Sequence, residues 1–288
     1  MTPPSFRPVV VLGGTANMAF AIGSTILNFR SVMPDFETPI MVFHDGLSAS
    51  DRAVMSQLGD VILTEYVPTF LDSKAGESPF IEYFSPMVFS KYECLKLLDT
   101  YTHVLWLDFD IVLQKDIREL FAASNGPFLT LPSGRPVSSS FAAELTQFEM
   151  NSPGMSSGTF VLRQDIGDYS AMHRFCESST AKFAPVLKMP EQAIFDLMIQ
   201  HFDLVPDYLD PTVYACHPLE PEYVKVASIV HCYGRRKFWS GVDWPEWEHY
   251  YQAWIALGGS AAPGWLSRFG SRLRRLRGRI QRRLSLEP

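Results

Sequence analysis

"HVLWLDFDIVL", residues 103–113, is an apolar run broken by Asp108 and Asp110. Its apolar character predicts a buried strand over 103–110, where two carboxylates have no ordinary place. Side chains at i and i+2 of extended backbone share a side, so Asp108 and Asp110 can converge on one point. Buried without a counter-charge, the two would cost roughly several kcal/mol in desolvation. If the strand ends near Leu107, both acids lie at its carboxyl edge and can hold Mg²⁺ or Mn²⁺ against a phosphate. Taken alone, the pair also fits a turn cap or ion pairs at a sheet edge.

The surrounding sequence alternates short apolar runs with helical periodicity. Residues 8–14, 39–45 and 60–66 read as strands, and 19–29, 50–58 and 86–99 as helices, with Ser50 as a cap. This order predicts βαβ units, a largely parallel sheet and ligands at the strands' carboxyl ends. Further along, 126–132, 157–164 and 226–234 read as strands and 190–200 as a helix with Pro190 at its start. The "GGTAN" loop and its neighbours interrupt residues 9–27, which therefore read as strand, loop and helix rather than as a signal peptide or membrane span. Residues 1–257 form one expected domain, 258–264 a linker and 265–288 a tail.

"VHCYGRRKFW", residues 230–239, adds chemistry to the aspartates. His231 follows an apolar strand and can supply a ring nitrogen as a third metal ligand. Gly234 lets backbone N–H groups approach a phosphate, and Lys237 offers a point charge. Singly, such a histidine is more often a core residue and such a lysine a solvated one. The joint spacing favours a diphosphate site.

These segments together resemble the retaining family 8 glycosyltransferases, the glycogenin-like and bacterial lipopolysaccharide galactosyl- and glucosyltransferases. "HVLWLDFDIVLQKDIREL" is similar to the family's YLDxDhhhhxDhxEL core, and "HCYGRRKFW" to HxxGxxKPW, with Phe238 for proline. "MSSGTFVL" (155–162) resembles FNSGxxxh with Ser156 for asparagine. "PEQAIF" resembles DQxxhN with Glu191 for aspartate, and "FSKYECLKL" (89–97) resembles the helix carrying a cation near the nucleotide, here Lys91. The match runs in order over roughly residues 8–255. It implies a GT-A fold, an α/β Rossmann-like mixed sheet flanked by helices. It also implies that Asp108, Asp110 and His231 hold Mn²⁺ or Mg²⁺ against the diphosphate of a UDP-sugar. Gly234 and Lys237 would contact phosphate, while Gly13, Thr15 and Asn17 would border the base and ribose. The family's Asp-x-x-Tyr is missing from this last loop.

Retention by double displacement needs a carboxylate nucleophile. The family instead offers an amide, here Gln192, so the resemblance favours front-face substitution. Gln192 would orient the sugar and Lys237 would stabilise the leaving charge. Glu191 would hold sugar hydroxyls or serve as a charge at a helix N-terminus. The acceptor would be a glycan or a lipid-linked sugar.

Two C-terminal patterns complete the reading. Trp247, Tyr250, Tyr251 and Trp254 recur at helical spacing and read as core, with Trp239 a candidate exception. From Gly264 onward there are eight arginines and one acid, net +7, leaving 17 basic and 30 acidic residues, net −13. Trp265, Phe269, Leu273, Leu276, Ile280 and Leu284 make an apolar stripe opposite the arginines. That pattern predicts an amphipathic helix on anionic lipid rather than a nucleic-acid-binding segment. Four cysteines in no paired spacing favour a reducing compartment, so the expected location is the cytoplasmic face of a membrane. Two rivals stay open: a haloacid-dehalogenase-type phosphatase opening on "DFDIV", and a silent nucleotide-sugar-binding relative.

Overall fold

A computed structural model describes residues 6–71, 78–122 and 124–263. The strands are β1 (Pro8–Gly14), β2 (Ile40–His44), β3 (Val61–Glu65), β4 (His103–Leu107), β5 (Ile111–Leu113), β6 (Phe128–Pro136), β7 (Pro153–Arg163), β8 (Asp207–Tyr208) and β9 (Ile229–His231). The α-helices are α1 (Ala19–Val32), α2 (Ala49–Met55), α3 (Pro79–Phe84), α4 (Glu93–Leu97), α5 (Tyr169–Phe183), α6 (Pro190–His201), α7 (Pro211–Tyr214), α8 (Pro221–Val224) and α9 (Pro245–Ala256).

Seven strands form one sheet in the order β3-β2-β1-β4-β7-β6-β8. β3, β2, β1 and β4 run parallel, β7 is antiparallel to both β4 and β6, and β8 closes the edge parallel to β6. The sheet is therefore mixed. A separate antiparallel pair, β5 with β9, stands beyond the end of β4.

Period-2 alternation divides the core. Val10, Leu12, Leu105 and Leu107 face one side, with Phe20, Ile26 and Phe29 of α1 and Trp247, Tyr251 and Trp254 of α9. Val9, Val11, Val104 and Trp106 face the other, with Leu95 of α4, Met172 of α5 and Phe195 of α6. Helices on both faces explain why the central strands read as unbroken apolar runs. The α1–α9 approach depends on Gly23, where an added Cβ would lie 2.1 Å from the Trp254 ring. The helically spaced aromatics of α9 are core, as their spacing predicts, with Tyr250 the half-buried flank.

Four local expectations change. The strand expected over 103–110 ends at Leu107 and resumes at Ile111. The strand expected over 226–234 is only three residues long, paired with β5. The helix expected over 86–99 begins as a 3₁₀ helix, Pro86–Tyr92, before α4. Ser48, not Ser50, caps α2, its Oγ accepting the Asp51 N–H at 3.0 Å. No helix among the described residues is long and apolar enough to cross a membrane. The amphipathic tail lies outside the described residues. Residues 258–263 rest on the body: Ser260 N–H donates to Asp51 Oδ1 at 2.8 Å and Ala262 N–H to the Tyr251 hydroxyl at 2.9 Å.

Candidate active site

The site grows from the break between β4 and β5. Asp108 N–H donates to Gly158 O on β7, and Asp110 O accepts the Cys232 N–H beyond β9, both at 2.9 Å. One aspartate is thus tied to the main sheet and the other to the small one. Their convergence comes from this turn rather than from strand alternation. A continuous strand would have kept both backbones on one ladder, with no room for His231 between the carboxylates.

His231, at the end of β9, places Nε2 3.1 Å from Asp110 Oδ1 and 3.8 Å from Asp108 Oδ2. Lys237 Nζ forms an ion pair with Asp110 Oδ2. Asp110 is almost fully buried. Burial favours its neutral form, but the opposing charges of His231 and Lys237 prevail and hold its carboxyl below the usual range. One ligand atom each from Asp108, Asp110 and His231 lies within 4.8 Å of the others. Two carboxylates and an imidazole match the donor preferences of Mn²⁺, so these residues fit the cation the sequence implied.

Behind Asp108 stands a second, closed network. Lys91, in the 3₁₀ turn before α4, places Nζ 3.2 Å from Asp108 Oδ1 and 2.9 Å from Glu191 Oε1. Its Nζ also donates to Ser157 Oγ at 3.1 Å, and Ser157 Oγ donates to Glu191 Oε1 at 2.8 Å. Trp106 Nε1–H donates to Asp108 Oδ1 at 2.8 Å. Burial opposes the charge on Lys91, but Asp108 and Glu191 outweigh it and raise its pKa, so the ammonium persists. Glu191 sits in the first turn of α6, yet its buried carboxylate is engaged by Lys91 rather than left as a solvated helix-end charge. Gln192, its neighbour, is half-buried and makes no side-chain hydrogen bond to the described residues.

The expected nucleotide loop follows β1. Gly13 is a packing residue: an added Cβ would lie 2.5 Å from Ser90 Oγ and 2.7 Å from the Trp106 ring. Thr15 Oγ1 donates to Asn17 Oδ1, and the Ala16 N–H donates to Asp45 Oδ1 at 2.6 Å. Parallel pairing of Gly14 with His44 brings Asp45 beside this loop. Gly14 lies under Phe109, so the loop adjoins the aspartate turn. Gly234 is exposed with φ of +82°, a conformation glycine adopts at no steric cost. Trp239 is half-buried, its ring 5.3 Å from Phe20 and 6.2 Å from Phe109. It belongs to the wall under the turn.

Several residues here had no signal outside a family pattern, or none at all. Gly158 is required by contact, since an added Cβ would lie 2.6 Å from His231 Cε1 and 3.3 Å from Asp108 Oδ2. Ser157 and Gly158 stand at the Ser-Gly of the FNSGxxxh pattern, while Trp106 and Asp45 are recruited only by tertiary contact. Asp196 had a signal: it stands where the DQxxhN pattern ends in asparagine. Its Oδ1 accepts the Met155 N–H at 2.8 Å while Oδ2 has no hydrogen-bond partner among the described residues. Burial pushes its carboxyl up to about 7, against the lowering effect of that hydrogen bond.

Residues 9–242 match the family described as Glycosyl transferase family 8. No curated protein matches the chain. Among solved structures, the galactosyltransferase LgtC with donor and acceptor sugar analogues superposes with a TM-score of 0.64 at 14% identity, covering 86% of this chain and 99% of that one. An active-site mutant of LgtC gives 0.65 at 14% identity, covering 89% and 98%. GlyE from Streptococcus pneumoniae TIGR4 gives 0.55 at 16% identity, covering 88% of this chain and 64% of that one. These likenesses establish the GT-A fold. The chain belongs to glycosyltransferase family 8. Its D-x-D is therefore read within a transferase, and the phosphatase rival loses its ground.

Proposed function

We propose that the chain transfers a hexose, glucose or galactose, from a UDP-sugar to a glycan or lipid-linked acceptor with retention of anomeric configuration. The single observation carrying this reading is the convergence of Asp108, Asp110, the His231 ring nitrogen and Lys237 where β4 and β9 end. In a family 8 chain, that cluster is suited to a metal-bound diphosphate. The similar protein LgtC is a galactosyltransferase, which supports the hexose.

Asp108, Asp110 and His231 would hold the Mn²⁺ or Mg²⁺, which supplies Lewis-acid stabilisation of the departing diphosphate when bound. Lys237 exchanges its partner, leaving Asp110 to meet phosphate charge as a preorganised cation. Gly234 lets backbone N–H groups approach the same phosphates. Gly13 shapes the floor of the nucleotide loop, while Thr15 and Asn17 face base and ribose. Lys91 fixes Asp108 and Glu191 in place. Gln192, with its amide uncommitted, orients the sugar and stabilises the oxocarbenium-like state. Departure of the phosphate oxygen from the anomeric carbon and attack by the acceptor hydroxyl occur on the same face, with the leaving oxygen taking the acceptor's proton.

Residues 1–257 form the transferase domain and 258–264 lead to the tail. Arginines opposite an apolar stripe in 265–288 suit an anionic cytoplasmic membrane face. Co-sedimentation with anionic but not zwitterionic vesicles, lost on removal of 265–288, is expected. Equal sedimentation of the shortened chain would end that reading.

The transfer reading is tested by Mn²⁺-dependent release of UDP from a panel of UDP-sugars, comparing wild type with Asp110→Ala. Release from UDP-glucose or UDP-galactose that disappears in the variant is expected. Folded wild type that releases nothing, with acceptors and other nucleotides also supplied, would favour the silent nucleotide-sugar-binding relative.

A further inference from the structure

Where α4 meets α5 lies a second group of metal-ligating side chains that the transfer chemistry does not use. Glu93 opens α4, and His173 and Glu177 share one face of α5 at i and i+4. His173 is buried, with Nε2 3.1 Å from Glu93 Oε1 and Nδ1 3.5 Å from Glu177 Oε2. One ligand atom from each of the three residues lies within 4.8 Å of the other two.

These contacts alone describe an ordinary buried ion-pair cluster. A separate observation points beyond it. Tyr66, just past the end of β3, is 8% exposed, and its hydroxyl is buried without a hydrogen-bond partner among the described residues. Its N–H is fixed to His44 O at 2.8 Å, and its ring packs edge-on against Phe43. After burial itself, the influences on this phenol are the charges of Glu93 and Glu177, so the ring lies within electrostatic reach of the cluster. A buried hydroxyl within reach of two carboxylate charges, with no partner among the described residues, is an anomaly in a well-packed interior. A water on a bound cation would satisfy it.

We propose that Glu93, His173 and Glu177 form a second divalent-cation site, with Tyr66 as the outer partner of a water on that ion. One imidazole and two carboxylates suit Zn²⁺, which takes three protein ligands and leaves a position for water. Lys96 Nζ, 3.2 Å from Glu93 Oε2, is the resident counter-charge. It is half-exposed and can turn to solvent when the ion binds. Glu177 remains partly open, giving the ion an entry path.

The site has a structural consequence. Glu93 follows Lys91 by two residues, so an ion joining α4 to α5 also fixes the segment that presents Lys91 to Asp108 and Glu191. This inference stands apart from the donor-site reading because the two ligand sets share no residue.

Metal-stripped full-length protein, titrated with Zn²⁺ alone and with Co²⁺ as a spectroscopic probe, tests it. Wild type, Asp110→Asn, His173→Gln and Glu177→Gln are compared, with circular dichroism to check folding. Asp110→Asn should retain a Zn²⁺ equivalent that His173→Gln and Glu177→Gln lose. Glu177→Gln, a change at the partly open side, keeps the test available should His173→Gln not fold. Tyr66→Phe should weaken that equivalent about 10-fold, the usual effect of losing an outer-shell partner. Zn²⁺ stoichiometry unchanged by Glu177→Gln, or abolished by Asp110→Asn, overturns the proposal. Failure of UDP release in the wild type would leave this titration unaffected, so the two readings fail separately.

Discussion

The two halves of the candidate site carry similar charges but are built for different work. Asp110, His231 and Lys237 meet where the small β5–β9 sheet joins the turn, and Lys237 remains a quarter exposed. Lys91, Ser157 and Glu191 are buried and fully committed to one another and to Asp108. The first group can exchange partners when a ligand arrives, because water is available to the ion it releases. The second cannot, since removing either charge strands the other in a low-dielectric interior. Asp108 belongs to both halves, held from behind by Lys91 and Trp106 and facing His231 in front.

The comparison breaks most visibly at Lys91. Lys91→Met leaves Glu191 and Asp108 without their buried counter-charge, and the expected loss of unfolding free energy is about 3–5 kcal/mol. Denaturant unfolding measures it. A loss under about 1 kcal/mol would mean that the rear network is not the rigid half. Asp110→Asn should do the opposite. UDP release should fall by about 10³-fold, the scale of removing a preorganised electrostatic group from a transition-state site. Its melting point should drop less than that of Lys91→Met, because Lys237 can turn to water. Equal stability losses in the two variants would erase the distinction between the halves.

Asp196 sharpens the comparison through pH. Its carboxyl is raised from the ordinary 3.8 to about 7 in the folded chain, burial being the main cause. A raised folded value means that the native state keeps the proton after the unfolded state has lost it. Its contribution is therefore fully present below about pH 4 and is lost as pH rises through about 7. Asp196→Asn keeps an acceptor for the Met155 N–H and does not ionise. Relative to wild type, the variant should gain about 2 kcal/mol more at pH 8 than at pH 5, on the basis of about 1.4 kcal/mol per pKa unit discounted for relaxation. Unfolding curves at the two pH values measure this. A pH-independent difference would show that Asp196 is already ionised or solvated.

The two halves also differ in how legible they were. Asp108, Asp110 and His231 lie at the ends of apolar runs, where a polar residue is conspicuous, and Lys237 follows His231 by six residues, so sequence alone could assemble the front half. The break after Leu107 stayed only one of two alternatives, because Phe109, Ile111 and Val112 continue the apolar pattern through the turn. The rear half was mostly silent. Lys91, Glu191, Ser157 and Gly158 were reachable only through family resemblance. The physical reason for Gly158 emerges only when His231, 73 positions later, is found standing over it. Distance along the chain, rather than weak chemistry, concealed these residues.

The smallest test concerns Ser157, the neutral member of the rear network. Its hydroxyl accepts from Lys91 Nζ and donates to Glu191 Oε1, so it relays between two charges that already touch directly at 2.9 Å. Ser157→Ala removes both hydrogen bonds but leaves the ion pair. The expected cost is about 1–2 kcal/mol, since hydrogen bonds to charged groups exceed neutral ones while the direct contact persists. Comparing Ser157→Ala in wild type and Lys91→Met backgrounds separates relay from packing. If the serine serves the ion pair, its cost shrinks once Lys91 is gone, giving a coupling energy of at least about 0.5 kcal/mol. If it only fills space on β7, the cost is the same in both backgrounds, and the rear network reduces to Lys91 and its two carboxylates.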